Sequence, residues 1–468
     1  MEAAPLKPSA RGGHQMLWDP RSRQVFLFGG WDGKRDLADF WSFNPANRTW
    51  TLISMNTEKD GGPCARSCHK AALHSANGHI YILGRYIDPE RRTSTTLDSP
   101  NLPCDFYRYT LADGTWMKLS GDVRAEGGPG CIYDHQMVID EEEDCLWVFG
   151  GRLLSGTNEA SVYSGLYRHD LRTSQWTLIQ SDPGNTVDSA VTQATLPPMM
   201  IPSRIGHSML FDPLERSLLL LSGQRYKDQL SDFYKYSIDR RCITQLWKSM
   251  QLCGGPEAGF TQRAAIDPGR REMYVFSSLI RTGSSAVVGV PPPELETGGS
   301  NLVDETCAFW CFNLQSDKWT RIPCSSPSRP PARFAHQLAY DPVTQVHFLF
   351  GGNPGSTVDP SARLDDLWAA HLKKSMTPAE VLRRCQYLIR KRIFESLLCT
   401  ADIPTALKFL QTDLSAVVNH ANAQESAAFR CLSTRLFEKA HHSGGAEELF
   451  EEIVKYLPQH MQPPIKSL

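Results

Sequence analysis

Residues 11–30 read RGGHQMLWDPRSRQVFLFGG, and two later stretches repeat their layout: RSCHKAALHSANGHIYILGR at 66–85 and RFAHQLAYDPVTQVHFLFGG at 333–352. Each stretch holds an Arg-x-x-His segment, a polar turn and an apolar run that ends at a glycine. One position recurs in six copies, and we call it the repeat slot: His14, His69, His135, His207, Gln262 and His336. Such an internal period predicts a repeat architecture in which each copy forms one structural unit.

Each copy carries signals for four short strands. After the glycine, an aromatic alternation such as Phe40-Trp41-Ser42-Phe43 predicts a third strand, and a tryptophan such as Trp50 opens a fourth. Four strands per copy predict a propeller blade, and the six repeats start near residues 11, 66, 129, 202, 256 and 331. The sixth copy has no fourth-strand tryptophan after Trp368. We therefore expect one incomplete blade, and faster amide exchange in blades 1 and 6 than in blades 3 and 4, because an unpaired edge frays.

The period changes to a helical one near residue 376. Thr377 and Pro378 predict the N-cap and the first turn of a helix. Apolar residues at helical spacing predict its buried face: Leu382, Cys385, Leu388, Ile389 and Phe394. The basic residues between them predict a solvated face: Arg383, Arg384, Arg390, Lys391 and Arg392.

Further helices are predicted downstream, and the last, at 446–457, has an apolar stripe that we expect to dock onto a partner: Leu449, Phe450, Ile453, Val454 and Leu457. Packing of this stripe on the tail's own helices is the alternative. The predicted domains are a propeller at 1–374 and a helical C-terminal tail at 375–468.

Composition excludes several classes of function. The 468 residues carry 49 Lys+Arg and 51 Asp+Glu, so there is no overall basic field for nucleic acid or a membrane surface. No apolar run approaches the roughly 20 residues of a membrane span, and residues 1–10 lack a signal-peptide core. Thirteen scattered cysteines indicate reduced thiols. We expect a cytoplasmic protein, with the nucleus as a second compartment.

The glycine pair that closes the second strand, the aromatic pair in the third and the tryptophan that opens the fourth resemble the kelch family. Several segments are more specific and resemble the muskelin family of kelch-repeat adaptors: Arg11-Gly12-Gly13-His14-Gln15, Phe28-Gly29-Gly30-Trp31-Asp32-Gly33, Arg333-Phe334-Ala335-His336-Gln337 and Cys385-Gln386-Tyr387-Leu388-Ile389-Arg390-Lys391. The expected fold is mainly β: a six-bladed kelch β-propeller followed by a small α-helical C-terminal domain.

The resemblance implies a non-enzymatic intracellular adaptor, a subunit or substrate-recruiting component of a ubiquitin ligase complex of the CTLH type. A cytoskeletal or cell-adhesion scaffold is the alternative. Family members carry discoidin-like, LisH and CTLH regions ahead of the propeller, and this sequence shows none of them. We expect a shortened form of a longer protein. LisH motifs usually drive dimerisation, and none is seen in this sequence, so its oligomeric state stays open.

Five of the six repeat-slot residues are histidines, which suggests a metal ring. A side chain that hydrogen-bonds a neighbouring strand explains histidine and glutamine alike, and a ring several blades wide holds imidazoles too far apart for metal bonds of about 2 Å. We therefore predict no metal and no cofactor. A metal-dependent oxidase remains a less favoured alternative. No catalytic motif is recognisable in the sequence, so no catalytic residue is assigned.

All the long insertions fall on one face of the predicted propeller. Arginines and tyrosines near the blade roots make this face a candidate protein-binding surface: Arg85, Tyr86, Arg152, Arg225, Tyr226 and Arg281. Guanidinium groups bind carboxylates bidentately, so acidic peptide segments of substrates are the expected partners, beside ligase subunits. The repeated arginines ahead of the slot are expected to brace adjacent blades instead: Arg11, Arg66, Arg204 and Arg333.

Overall fold

The computed structural model describes residues 6–87, 102–154, 162–183, 199–259, 261–277, 308–323, 329–356, 358–372, 378–400, 402–420 and 423–437. The chain divides into two compact units, residues 1–372 and 373–468. The first unit is the expected six-bladed β-propeller, and helices follow it in the second.

The blades are antiparallel meanders in which each strand pairs with the next. Blade 1 has strands Gln15–Asp19, Gln24–Phe28, Phe40–Asn44 and Thr49–Ser54. Blade 2 has Lys70–His74, His79–Leu83, Phe106–Thr110 and Thr115–Ser120. Blade 3 has Gln136–Asp140, Cys145–Phe149, Leu166–Asp170 and Trp176–Gln180.

Blade 4 has strands Ser208–Asp212, Ser217–Leu221, Phe233–Ser237 and Cys242–Trp247, and blade 5 has Arg263–Asp267, Glu272–Ser277, Ala308–Asn313 and Lys318–Ile322. Within the described residues, blade 6 has three strands, Gln337–Asp341, Val346–Phe350 and Leu367–His371. Two short ribbons extend the loops: Ile132–Tyr133 pairs with Arg152–Leu153, and Gln224–Arg225 pairs with Asp228–Gln229. The predicted meander of short strands is therefore confirmed.

The first strands of the six blades contact one another in a closed ring, blade 6 against blade 1 included. The residue before each repeat slot joins this ring, and we call these residues the axial ring: Gly13, Cys68, Asp134, Gly206, Thr261 and Ala335. The N–H of Gly13 donates to the carbonyl of Ala335, and the N–H of Cys68 to that of Gly13, both at 2.9 Å. Equivalent bonds of 2.8–3.2 Å link Asp134, Gly206 and Thr261 in turn. The N–H of Ala335 completes the circle by donating to Oγ1 of Thr261 at 3.1 Å.

All members of the axial ring have positive φ. The four that are not glycine, Cys68, Asp134, Thr261 and Ala335, lie between +53° and +59°. A left-handed conformation costs an L-residue roughly 1–2 kcal/mol. The left-handed conformation turns each N–H toward the preceding blade, where it finds an acceptor. Without that bond the buried N–H would have no partner, which is costly.

The junction between blades 6 and 1 is closed by the same contacts as the other junctions. The N–H of Gly352 donates to the carbonyl of Arg11 at 2.8 Å, as that of Gly30 does to Arg66 at 2.9 Å. Trp18 stacks on Phe348 with ring centroids 5.9 Å apart, inside one buried apolar cluster shared by the two blades. The expected incomplete blade is present in the described residues, yet this junction is joined by axial bonds and side-chain packing, which argues against the fraying that an unpaired edge predicts.

The arginines ahead of the slot form ion pairs inside their own blades. Arg11 binds both oxygens of Asp39 at 2.6 and 2.7 Å and donates to the carbonyl of Gly29 at 3.0 Å. The same bidentate pairs recur as Arg66–Asp105, Arg204–Asp232 and Arg333–Asp366. All four guanidinium side chains are fully buried. The side chains thus clamp the entry to the first strand against the start of the third strand of the same blade, so the predicted brace between adjacent blades is wrong for these side chains.

The arginine and its aspartate are present or absent together. Blade 3 has Ile132 and Gly165 at the two positions, and blade 5 has Gly259 and Ala308. No blade therefore buries one half of the pair alone. This is the arrangement expected when an uncompensated buried charge costs several kcal/mol.

The connections between several blades share a short 3-10 turn followed by Gly-Gly-Pro, which the sequence reading missed. The turns are Thr57–Asp60, Val123–Glu126 and Gln251–Cys253. A Cβ at Gly62 would lie 2.7 Å from the indole of Trp116 in the next blade. Glycine is required there because the fourth-strand tryptophan of the following blade packs flat on the backbone.

The described helices of the second unit are α1 Pro378–Thr400, α2 Ile403–Phe409 and α3 Ala423–Thr434. A π turn, Leu410–Leu414, and a 3-10 turn, Ser415–Val417, follow α2, and Arg435–Phe437 follows α3. Leu388 and Phe394 enter a core with residues of α2 and α3. The N-cap proposed at Thr377 and the final apolar stripe lie outside the described residues.

Two details of the predicted helix face are wrong. Leu382 is 60% exposed and Ile389 43% exposed, because the core lies toward Tyr387 and Leu388 instead. Two of the arginines are not simply solvated: Arg383 and Arg384 share the buried carboxylate of Glu425, with nitrogen–oxygen distances of 2.8 and 3.1 Å. These ion pairs tie α1 to α3.

None of the described helices is both long and apolar enough to cross a membrane. The cysteines of the described residues are free thiols.

The ion pairs inside the blades can be tested in blade 2. We expect Arg66→Ile to lower the free energy of unfolding by about 3–5 kcal/mol, because it leaves the carboxylate of Asp105 buried without its partner. The double variant R66I/D105A copies residues that blades 3 and 5 carry, and it should lose less than the single variant. Chemical denaturation measures both, with Arg172→Ile on an exposed turn as the control. A double variant at least as destabilised as R66I would contradict the pairing.

Candidate functional site

Tyrosines and arginines of blades 2, 3 and 4 form a continuous cluster on the face with the long loops. We call it the tyrosine–arginine ladder: Tyr86, Tyr133, Arg152, Tyr163, Arg225 and Tyr226. The rings of Tyr86 and Tyr133 meet edge to face at 5.1 Å. Tyr133 is paired through its backbone with Arg152 across the short ribbon of blade 3. The guanidinium of Arg152 lies over the ring of Tyr163 at 5.8 Å.

Blade 4 supplies the other end of the ladder. The guanidinium of Arg225 lies 4.6 Å from the ring centre of Tyr163 and 5.1 Å from that of Tyr226. The hydroxyl of Tyr163 accepts a hydrogen bond from the backbone N–H of Tyr226 at 2.7 Å. This bond holds Tyr226 at a φ of +53° and leaves its side chain 52% exposed. The fully buried Tyr163 is therefore the support, and Tyr226 is the exposed contact.

The charge of the ladder is lower than the sequence suggested. Arg225 binds both oxygens of Asp182 at 3.0 Å, so its charge is already compensated. Arg85 lies beside the ladder and donates to the sulfur of Cys64 at 2.9 Å, with Asp105 and Arg66 close by. Among the described residues, Arg152 has no carboxylate within ion-pair distance. Arg281 lies outside the described residues.

Five of the six predicted surface residues are thus placed near one another, and two members of the ladder were missed from the sequence. Tyr133 lies two residues ahead of the slot, where the other blades carry residues as different as Gly12, Ser67 and Ile205, and Tyr163 lies in an insertion. The available signal was the departure of blade 3 from the Arg-x-x-His pattern. The site is an aromatic and guanidinium surface on rigid strand ends, a composition typical of protein-binding hot spots.

The histidines of the repeat slot are fully buried, and their contacts differ from the predicted hydrogen bonds. Neither ring nitrogen has a hydrogen-bond partner within the described residues. Four imidazoles meet a phenylalanine of the preceding blade edge to face at 5.0–5.5 Å: His14, His69, His207 and His336. Their role is packing between blades, so the hydrogen-bonding prediction is wrong for these histidines.

Gln262 is the one slot residue that does hydrogen-bond. Its amide oxygen accepts from Oγ of Ser222 in the preceding blade at 2.5 Å, and its amide nitrogen donates to Oγ of Ser277 at 3.1 Å. Serine replaces the usual glycine at both of those positions. The glutamine and the two serines therefore form one coupled replacement of the imidazole packing.

Burial lowers the pKa of all five slot histidines well below the ordinary value, and nearby cations such as Lys70 lower it further. The imidazoles are neutral at pH 7. In the part of the chain that the structure describes, no three His, Cys, Asp or Glu side chains are grouped as metal ligands.

Comparison with known proteins agrees with this geometry. The family model of the Attractin/LZTR1 beta-propeller matches residues 1–191. Mei4-dependent protein 6 of Schizosaccharomyces pombe is 24% identical over 414 residues, 87% of this chain and 54% of that protein. Human Kelch domain-containing protein 10 is 24% identical over 321 residues, 66% of this chain and 59% of that protein.

A third relative, the N-(sulfonatooxy)prop-2-enimidothioate sulfolyase of Thlaspi arvense, is 23% identical over 169 residues, 34% of this chain and 44% of that protein. The chain spans about half the length of these relatives. Together with the blades, the matches make the chain a kelch-type β-propeller protein. Such propellers are generally protein-interaction modules.

The neutral histidines predict a loss of stability in acid. Their pKa is lower in the folded state than in the unfolded state, so the unfolded chain binds more protons below about pH 6.5. Each slot histidine should then cost about 1.4 kcal/mol at pH 5.5, while its contribution is intact above pH 7. Unfolding by denaturant at pH 7.5 and 5.5 measures the difference.

The matched variant is H69Q/H207Q, which places glutamine, the slot residue of blade 5, in the slots of blades 2 and 4. Its loss of stability between pH 7.5 and 5.5 should be about 2.8 kcal/mol smaller than that of the wild type, since two histidines of about 1.4 kcal/mol each are removed. An unchanged pH dependence would show that other groups cause the acid sensitivity.

Proposed function

We propose that the chain is a non-enzymatic intracellular adaptor that binds a partner protein through the tyrosine–arginine ladder. The observation that carries this proposal is the exposed ring of Tyr226, held in a left-handed turn by the buried hydroxyl of Tyr163. Because the turn is already fixed, little conformational entropy is lost when a partner covers it. Tyrosine and arginine are also among the residues enriched in binding hot spots.

The ladder favours a partner surface of mixed character over a strongly acidic one. Arg225 is neutralised by Asp182, which leaves Arg152 as the ladder arginine without an ion pair among the described residues. A partner with an apolar or aromatic anchor and one carboxylate would suit the tyrosine rings and Arg152.

The particular complex that we propose is a ubiquitin ligase of the CTLH type, in which the chain is a subunit or recruits substrates. Support comes from the muskelin-like segments, among them Arg11-Gly12-Gly13-His14-Gln15 in the first blade and Cys385-Gln386-Tyr387-Leu388-Ile389-Arg390-Lys391 in α1. No described feature favours the cytoskeletal alternative. The described residues also offer no ligand cluster that would support the oxidase alternative.

Affinity purification from cells with mass spectrometry tests the proposal. We expect Tyr226→Asn to reduce partner recovery at least tenfold, because asparagine keeps the left-handed turn but removes the exposed ring. The control is Leu214→Ala, which removes a 66% exposed side chain from the turn between the first two strands of blade 4. Both variants should keep the wild-type melting temperature.

Ligase subunits that are recovered with wild type and lost with Y226N would support the CTLH assignment. Actin-associated proteins in their place would support the scaffold. Equal recovery by wild type, Y226N and L214A would reject the ladder as the binding surface.

A further inference from the structure

The residue after each repeat slot opens the innermost strand of its blade, and these six positions surround the propeller axis. We call them the mouth ring: Gln15, Lys70, Gln136, Ser208, Arg263 and Gln337. The axial ring lies two residues earlier in each blade. The two rings are therefore neighbouring layers around the same axis.

Three of the six mouth-ring side chains bond their blade to the next. The amide nitrogen of Gln136 donates to the carbonyl of His207 at 2.5 Å, and Oγ of Ser208 donates to that of Gln262 at 2.8 Å. Nε of Arg263 donates to the carbonyl of His336 at 3.0 Å. Gln15 donates to the carbonyl of its own neighbour His14 at 2.9 Å.

Three donor groups of the mouth ring are left over. Lys70 is only 7% exposed, and no hydrogen bond or ion pair holds its ammonium group within the described residues. Nη1 of Arg263 and the amide nitrogen of Gln337 are buried, and neither has a partner there. Buried donors without acceptors are costly, and a buried cation without a counter-charge more so. On inner strands around one axis, such donors favour a negatively charged acceptor.

Among the described residues, the charges at the mouth do not balance. Lys70 belongs to blade 2 and Arg263 to blade 5, so in a ring of six blades they lie across the axis from each other. The carboxylate of Asp134 acts on both cations, but within the described residues no ion pair joins it to either. Two cations thus interact with one carboxylate, and a second carboxylate would balance their charge.

We propose that the mouth ring is a binding site for a carboxylate, held by Lys70, Arg263 and the amide of Gln337. The carboxylate is that of a small organic acid or of a glutamate or aspartate side chain on a partner, since both present the same group to these donors. None of these residues belongs to the tyrosine–arginine ladder. Its absence would leave the adaptor proposal unaffected.

The protonation of Lys70 makes this binding sensitive to pH. Burial, assisted by the charge of Arg263, lowers the pKa of Lys70 to about 7. The other titratable groups around it are Asp134, Cys68 and the slot histidines, and burial keeps those imidazoles neutral. More of the lysine is charged at pH 6 than at pH 8, so carboxylate binding should be tighter at pH 6.

The test compares wild type with Lys70→Met by thermal unfolding in sodium acetate and in sodium chloride at equal ionic strength. Acetate should raise the melting temperature of the wild type and leave that of K70M unchanged, because a ligand that binds only the folded state stabilises it. Lys59→Met removes an exposed lysine and should behave like wild type. Arg263→Gln is the second variant, should K70M fail to fold.

A second arm identifies the source of the carboxylate. A capped pentapeptide with one central glutamate is titrated against wild type at pH 6, and the same peptide with glutamine is its control. Saturable binding of the glutamate peptide, at least tenfold weaker in K70M, supports a partner side chain; acetate stabilisation alone supports a small acid. The proposal is overturned if neither ligand distinguishes wild type from K70M and R263Q.

Discussion

The hydrogen bonds of the axial ring are the constraint on which the propeller depends. Each N–H in this ring can reach the preceding blade only from a left-handed backbone, so one residue in every copy must accept positive φ. Gly13 and Gly206 do this without strain, and Ala335 does it at a cost. The slot residue that follows is then buried between blades, and the next residue opens the innermost strand beside the axis. One backbone requirement thus sets the register of all six blades.

The same requirement explains why the loop face can carry a binding surface. With the blade roots fixed by backbone bonds and by buried pairs such as Arg66–Asp105, the strand ends on that face have defined positions. Tyr163 of blade 3 can therefore support Tyr226 of blade 4, although the two residues belong to different sheets. A rigid scaffold with variable loops is the usual arrangement for recognition. Here the tyrosine–arginine ladder lies where those loops leave the strands.

Sequence reasoning predicted the blades because the slot spacing and the turn residues are local signals. It did not predict how blades 6 and 1 are joined, since the carbonyl of Ala335 accepts the bond from Gly13 without any distinctive side chain. The partner of Arg11 was missed, although Asp39 precedes the third strand in the same way in every blade that has the arginine. Tyr163 was not predicted, because it lies in an insertion and insertions do not follow the repeat. Leu382 was misplaced because helical spacing alone does not fix where the neighbouring helices lie.

Amide hydrogen exchange at the axial ring tests the central claim most directly. If backbone bonds close the propeller, the amide of Gly13, which bridges blades 6 and 1, should be protected to within about tenfold of that of Cys68, which bridges blades 1 and 2. Tenfold corresponds to ~1.4 kcal/mol of opening free energy. Exchange at Gly13 that is faster by several orders of magnitude, with Cys68 still protected, would mean that the ring is open and that another element must close the propeller.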